Sequence, residues 1–195
     1  MYLHLQSPAP WTLREVDFPI GGTASERARY LLRYAILAPS SHNTQPWFFG
    51  LHGDAVEVHA DRLRSLPVVD PEDRQLVMSC GAALCHLRVA MLRFGVSPVV
   101  SLMPDPDNPD HLARVRWGVA HEPTCEERQL FRAMRKRRTV RSRFDAREVP
   151  PEVVAAQPVV EAAEPAPPPE QASPFTPVAA TSPLPARDDS PRSKE

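Results

Sequence analysis

Apolar residues recur along the first two thirds of the chain with two alternating periods, and the switches between them mark out elements. In "TASERARYLLRYAILAPS", Ala28, Leu31, Leu32, Ala35 and Ile36 fall at helical spacing. Thr23 or Ser25 can cap this helix, with Glu26 in its first turn, and Pro39 should end it because the residue before a proline avoids the α region. "PWFFGLHGDAVEVHAD" then reads as two short strands around a Gly53-Asp54 turn. Val56 and Val58 alternate with Glu57 and His59 as in a half-buried strand.

"VDPEDRQLVMSCGAALCHLRVAMLRFGV" is the clearest helix. Asp70 can cap it, Pro71 suits the first helical position, and Gly95 suits the residue just past its end. Leu76, Cys80, Leu84, Leu87, Met91 and Phe94 form its apolar stripe. "SPVVSLM" and "LARVRWG" predict two more strands, joined by the turn-rich "PDPDNPDH". "TCEERQLFRAMRKRR" predicts a third helix, with Thr124 and Glu127 as a capping box. The order α, β, β, α, β, β, α specifies an α+β fold: a small sheet containing antiparallel strands, packed by helices, with a long central helix.

Beyond residue 156 the periodicity stops. About a quarter of residues 157–195 are proline, and most of the rest are alanine, serine or charged. Such a segment buries too little apolar surface to offset the entropy of ordering it, so a disordered tail is expected there and a folded region over 1–156. The first residues, "MYLHLQSPAPW", lack the basic start and long apolar run of a signal peptide, and no uninterrupted apolar run approaches the roughly 20 residues that span a bilayer. The formal net charge of −1 gives no drive toward nucleic acid. Cys80, Cys85 and Cys125 are too few and too irregular for a disulfide framework or a zinc site. The expectation is a cytoplasmic protein with reduced thiols, no metal, and neither membrane nor nucleic acid as partner.

Two stretches carry candidate chemistry. "APSSHNTQPWFF" turns from a helix end into a strand through small hydroxyl and amide residues, which are ordinary turn formers and equally able to donate to a flat polar ligand. "MRKRRTVRSRFDAREVPPEVV" concentrates Lys136, Arg137, Arg138, Arg141 and Arg143. Arginine forks match phosphate oxygens bidentately, while a basic run at a helix C-terminus is also favoured by the helix dipole alone. His42 is a turn histidine with no assigned catalytic role, and no side chain is assigned as catalytic.

Together these stretches resemble the nitroreductase-like family of FMN-binding oxidoreductases, in particular the Acg-like subgroup with two fused lobes. "AILAPSSHNTQPWFF" is similar to that family's A-x-x-A-P-S-x-x-N-x-Q-P-W-x-F signature, and "RRTVRSRFDAREVPPEVV" to its R-R-S-x-R-x-F-x-x-x-x-V-P-x-E pattern. The resemblance implies a partial nitroreductase-like fold with FMN held by Pro39, Ser40, Ser41 and Asn43 on one wall and by Arg137, Arg138, Thr139 and Arg141 on the other. Arg137 and Thr139 would take the phosphate end and Arg141 the N1/O2 edge of the ring. Gln45 would tie down the turn and Trp47 would fill the core. It further implies NAD(P)H as hydride donor and a small nitroaromatic or quinone-like acceptor. A flavin-binding protein without turnover, or a non-functional fragment, are the alternatives.

The family's later elements have no counterpart after Val154, so the tail is expected to be a truncated or frameshifted end in place of a second lobe, or else a genuine extension. In the two-lobe arrangement the long helix packs against its counterpart. Without that lobe, the stripe of Leu76, Leu84, Leu87 and Met91 is expected to face water and to recruit a second copy of the chain.

Overall fold

The computed structural model describes residues 2–3 and 12–155; the expected tail over 157–195 lies outside the described residues. The described chain divides into a unit reaching Ser142 and a second unit beginning at Arg143.

Among its described residues the first unit holds a five-stranded antiparallel sheet and three α-helices. Its elements are β1 (Tyr2–Leu3), α1 (Ala24–Ala35), β2 (Trp47–His52), β3 (Ala55–Ala60), α2 (Arg74–Arg93), β4 (Val96–Leu102), β5 (His111–Ala120) and α3 (Cys125–Lys136). The strand order is β1-β2-β3-β5-β4, with every neighbouring pair antiparallel. The fold is α+β, as the alternation of periods predicts.

Local signals set most boundaries. The Thr23 hydroxyl accepts from the Glu26 amide while the Glu26 carboxylate takes the Thr23 amide, and Thr124 and Glu127 repeat the arrangement at α3. Each box satisfies two amides that a helix start leaves bare. Gly53 turns the β2–β3 hairpin at φ 58°, and Gly95 ends α2 at φ 84°, backbone positions that favour glycine.

The start of α2 differs from expectation. Asp73 adopts a left-handed conformation and the helix begins at Arg74, not near Pro71. Asp70 nevertheless caps it from a distance: its buried carboxylate accepts from the amides of Gln75 at 3.1 Å and Leu76 at 2.9 Å. The carboxylate bridges an extra turn of chain, which moves the helix start without leaving its amides unsatisfied.

The core lies between the sheet and the helices. Val56, Val58 and Ala60 of β3 and Ala113 and Val115 of β5 meet Leu76, Ala83, Leu87 and Met91 of α2. Leu31, Leu32 and Ala35 of α1 complete it. The expectation that the α2 stripe faces water is therefore corrected. Leu76, Leu87 and Met91 are buried inside this chain's own core and Leu84 is half-buried, because α1, α3 and the sheet already cover that face. By length and composition alone α2 is apolar enough to cross a membrane, and half of it is packed in this interior. An aromatic cluster closes one end: Phe131 of α3 lies 4.9 Å from Tyr34 and 5.8 Å from Phe94, and Phe94 stacks on Phe18 at 4.4 Å.

The expectation of a half-buried β3 is corrected too. All six of its residues are buried, Glu57 and His59 included. β3 is the central strand, paired at both edges, and on the side away from the helices its neighbours' side chains cover it: the Phe48 ring stacks on His59 at 4.9 Å and Arg114 lies on Glu57.

The second unit's described residues, 143–155, are largely exposed. They hold an Arg147–Asp145 ion pair at 3.5 Å and a short helix, α4 (Pro151–Ala155).

Candidate functional site

The turn after α1 is held in a conformation that the local sequence does not favour. His42, Asn43 and Gln45 all have positive φ, near 50–57°. Each such non-glycine residue costs on the order of 1–3 kcal/mol, so the turn persists only because its surroundings over-determine it. The braces are visible. The Ser40 hydroxyl accepts from the Gln45 amide at 2.9 Å, and the Gln45 side chain donates to the Ile36 carbonyl at 3.4 Å. Arg64 donates to the carbonyls of Thr44 and Gln45 at 3.2 and 3.3 Å. The Ser41 hydroxyl donates to Gln75 Oε1 at 2.7 Å, and the Ser41 amide to Ser79 Oγ at 3.4 Å. Gln45 thus fastens the turn to the end of α1, and Trp47 is buried where β2 begins.

Between this turn and α2 lies a groove of about 440 Å³, lined by Pro39, Ser40, Ser41, Gln75, Met78, Ser79 and Ala82. No lining residue is acidic, and the groove offers hydroxyls, an amide and a thioether.

The basic segment reaches the same neighbourhood. Arg137 follows the last turn of α3, and its Nη2 donates to the Leu37 carbonyl at 3.3 Å, two residues before Pro39. Its Nη1 donates to the Thr139 hydroxyl at 3.2 Å, and its Nε is buried without a hydrogen-bond partner. Arg138 turns back onto the carbonyls of Arg135 and Arg137, at 3.3 and 2.8 Å. Thr139, Arg141, Pro39 and Asn43 are exposed, whereas Ser40, Ser41 and Arg137 are half-buried. Arg137 and Thr139 are thus brought to the α1 end beside the Pro39–Asn43 turn, while Arg138 is folded back on α3.

His86, on α2, has a pKa lowered from 6.5, first by burial and further by the nearby charge of Arg137. Gln75, Ser79, Ala82 and His86 do not stand out in the sequence. Their signal is a run of small and polar residues at helical spacing, on the side of α2 away from its conspicuous apolar stripe.

A second polar cluster lies on the opposite sheet face. Glu57 and His59 alternate with core residues on β3, and His111 pairs across with His59, next to a bulge between Val58 and His59. Arg114 donates to Glu57 Oε1 through Nε at 3.1 Å and Nη2 at 2.8 Å. Burial raises the Glu57 pKa, but hydrogen bonds from Arg114 and His59 and the charge of His111 outweigh it and leave the carboxyl below its ordinary value.

Sequence comparison gives partial relatives. An uncharacterized protein of Mycobacterium tuberculosis (strain ATCC 25618 / H37Rv) is 36% identical over 124 residues, covering 60% of this chain and 36% of that protein. From the same strain, a protein named "Putative NAD(P)H nitroreductase acg" is 36% identical over 113 residues, covering 58% of this chain and 34% of its own. "Probable NAD(P)H nitroreductase PigM" of Serratia sp. (strain ATCC 39006) is 35% identical over 80 residues, or 39% of this chain and 22% of that protein. No family model matches the chain. The chain spans about a third of the length of the curated relatives it matches first. Two of these relatives carry nitroreductase names, and the chain is similar to a part of each.

Proposed function

We propose that the chain contributes an FMN-binding wall to an NAD(P)H-dependent oxidoreductase of nitroreductase type. The observation that carries this reading is the braced groove between the Pro39–Asn43 turn and α2, with Arg137 anchored beside it on the Leu37 carbonyl. The donor set fits a phosphate-bearing, flat cofactor. Arg137 keeps a buried Nε with no partner, hydroxyls line the groove, and no carboxylate there would repel the phosphate. FMN, when bound, supplies hydride acceptance from NAD(P)H and delivery to a nitroaromatic or quinone-like acceptor.

The chain's own part is binding, orientation and charge. Ser41 and Asn43 hold polar atoms of the cofactor. Ser40, whose hydroxyl accepts from the Gln45 amide, braces the turn and keeps its proton to donate, while Ser41 gives up its bond to Gln75 to reach the cofactor. Arg137 and Thr139 take the phosphate, and Arg141 adds positive charge where a reduced ring carries negative charge; Arg138, folded back on the carbonyls of Arg135 and Arg137, takes no direct part. The side of α2 that the core leaves exposed, with Val77, Met78, Gly81 and Cys85, is where a second copy would complete the site.

The test is the visible spectrum of the purified chain and its titration with FMN, followed by NAD(P)H oxidation with a nitroaromatic acceptor. Stoichiometric flavin with turnover supports the reading. Bound flavin without turnover supports a flavin-holding protein instead. A chain that takes up no FMN at hundreds of micromolar refutes both.

A further inference from the structure

We propose that Glu57, His59 and His111, on the sheet face turned away from the helices, form a site for one divalent transition-metal ion, with zinc the best match. The site is independent of the flavin reading and lies on the other side of the sheet.

Topology makes the cluster. Strand alternation sends Glu57 and His59 to the same face of β3, and the β3–β5 ladder sets His111 directly across from His59. The bulge between Val58 and His59 re-aims that pair, a recurring use of bulges near functional side chains. The three ligand atoms all lie within 4.8 Å of one another. His59 Nε2 is 3.5 Å from Glu57 Oε2, and His111 Nε2 is 3.9 Å from Glu57 Oε1. Tetrahedral zinc, with bonds near 2.0–2.2 Å, places neighbouring ligand atoms about 3.4 Å apart. The first separation already matches; the second runs to Oε1, the oxygen that Arg114 holds, so His111 must shift toward Oε2, starting from a cluster whose three ligand atoms all lie within 4.8 Å.

The chemistry of the set points the same way. Two imidazoles and a carboxylate suit zinc or ferrous iron better than magnesium or calcium, which prefer oxygen. His111 Nε2 is buried with no hydrogen-bond partner, on a side chain only 4% exposed. A buried polar atom left so is costly, and a metal ion would satisfy it. Three protein ligands leave a fourth position for water.

Arg114 is the opposing term. Its guanidinium holds Glu57 Oε1, leaving Oε2 to ligate, and its charge works against a nearby dication. Its side chain is 42% exposed, so it can swing aside and open a way in. This opposition supplies a variant whose effect runs opposite to that of removing a ligand.

The test uses the full chain, freed of metal with a chelator and titrated with Zn²⁺ by calorimetry and with Co²⁺ by visible absorption. One ion per chain is expected, with a raised melting temperature. His111→Ala and His59→Ala should each weaken binding by more than the roughly 10- to 100-fold that loss of an outer partner costs. Arg114→Gln should tighten it by about tenfold. Failure to take up one ion per chain overturns the proposal. So does uptake unchanged in His111→Ala, which would assign the ion to other histidines. Should the histidine variants not fold, imidazole resonances of the unmodified chain decide: Zn²⁺ must shift those of His59 and His111 together, and shifts confined to other histidines overturn the site.

Discussion

Replacing Phe131 by alanine should release α3 from the rest of the first unit. Only Phe131 and Met134 of this helix are buried, so its apolar attachment rests on two side chains, beside the polar tie of Arg135 to the Leu13 carbonyl and Glu15. Phe131 is the larger, 1% exposed and wedged against Tyr34 and Phe94, with the Arg93 guanidinium 5.8 Å above its ring. Truncating a buried phenylalanine costs about 3–5 kcal/mol through lost transfer energy and the cavity left behind. Aromatic pairs contribute roughly 0.5–1.5 kcal/mol and an exposed cation–π contact about 0.5–1 kcal/mol, which puts this site in the upper part of that range. A domain of this size is stable by about 5–15 kcal/mol, so the loss removes a large share of it. Urea unfolding followed by tryptophan fluorescence reads the global effect, and amide exchange over 125–137 reads the local one. The two should move together, with exchange in α3 accelerating first. The Arg137–Leu37 bond depends on α3, so FMN affinity should also fall although Phe131 touches no ligand. A loss below about 1.5 kcal/mol with α3 amides still protected would refute the anchoring argument.

Other outcomes follow from the same geometry. Arg137→Ala should weaken FMN by about ten- to hundredfold in a fluorescence titration, since a charge-assisted phosphate bond contributes roughly 1.5–3 kcal/mol, and Arg143→Ala should matter less. His86 has a folded-state pKa below its ordinary 6.5, so the unfolded chain binds the extra proton and stability should fall as pH drops through 6.5 toward the folded value. His86→Gln should flatten that part of the stability–pH curve. Cys80 is 1% exposed and burial pushes its pKa up to about 12, whereas Cys85 and Cys125 are exposed. A thiol reagent should therefore titrate two cysteines quickly in the folded chain and the third only on unfolding.

What was legible in the sequence was local. The two capping boxes, the Gly53 turn and the Gly95 stop each involve residues within a few positions of one another, and each forms as expected. Asp70 was recognised as a cap, but its partners lie five and six residues on, so the helix starts later than usual cap spacing implies. The far side of β3 is not legible locally, because the pairing of Glu57 with Arg114 and of His59 with His111 joins segments more than fifty residues apart. The same holds for the groove. Ser41 shows what Gln75 and Ser79 are for only when the turn and α2 are brought together. Period and capping reveal elements; the use of an element's polar side depends on what packs there, and that is non-local.

The strand order carries a consequence for synthesis. β3 emerges already paired with β2, but its other edge awaits β5, and residues 61–110 must be translated in between. At about 5–20 residues per second, that leaves the central strand of the nascent chain open along one side for roughly 3–10 s. Its apolar face has no α2 to lie against during the first part of that interval. An unpaired, strongly apolar edge is a template for joining the wrong strand. On a crowded polysome, then, the demand for chaperone protection should peak between the release of β3 and the arrival of β5, and slowing translation within 61–110 should lower the yield of soluble protein more than slowing it after residue 120.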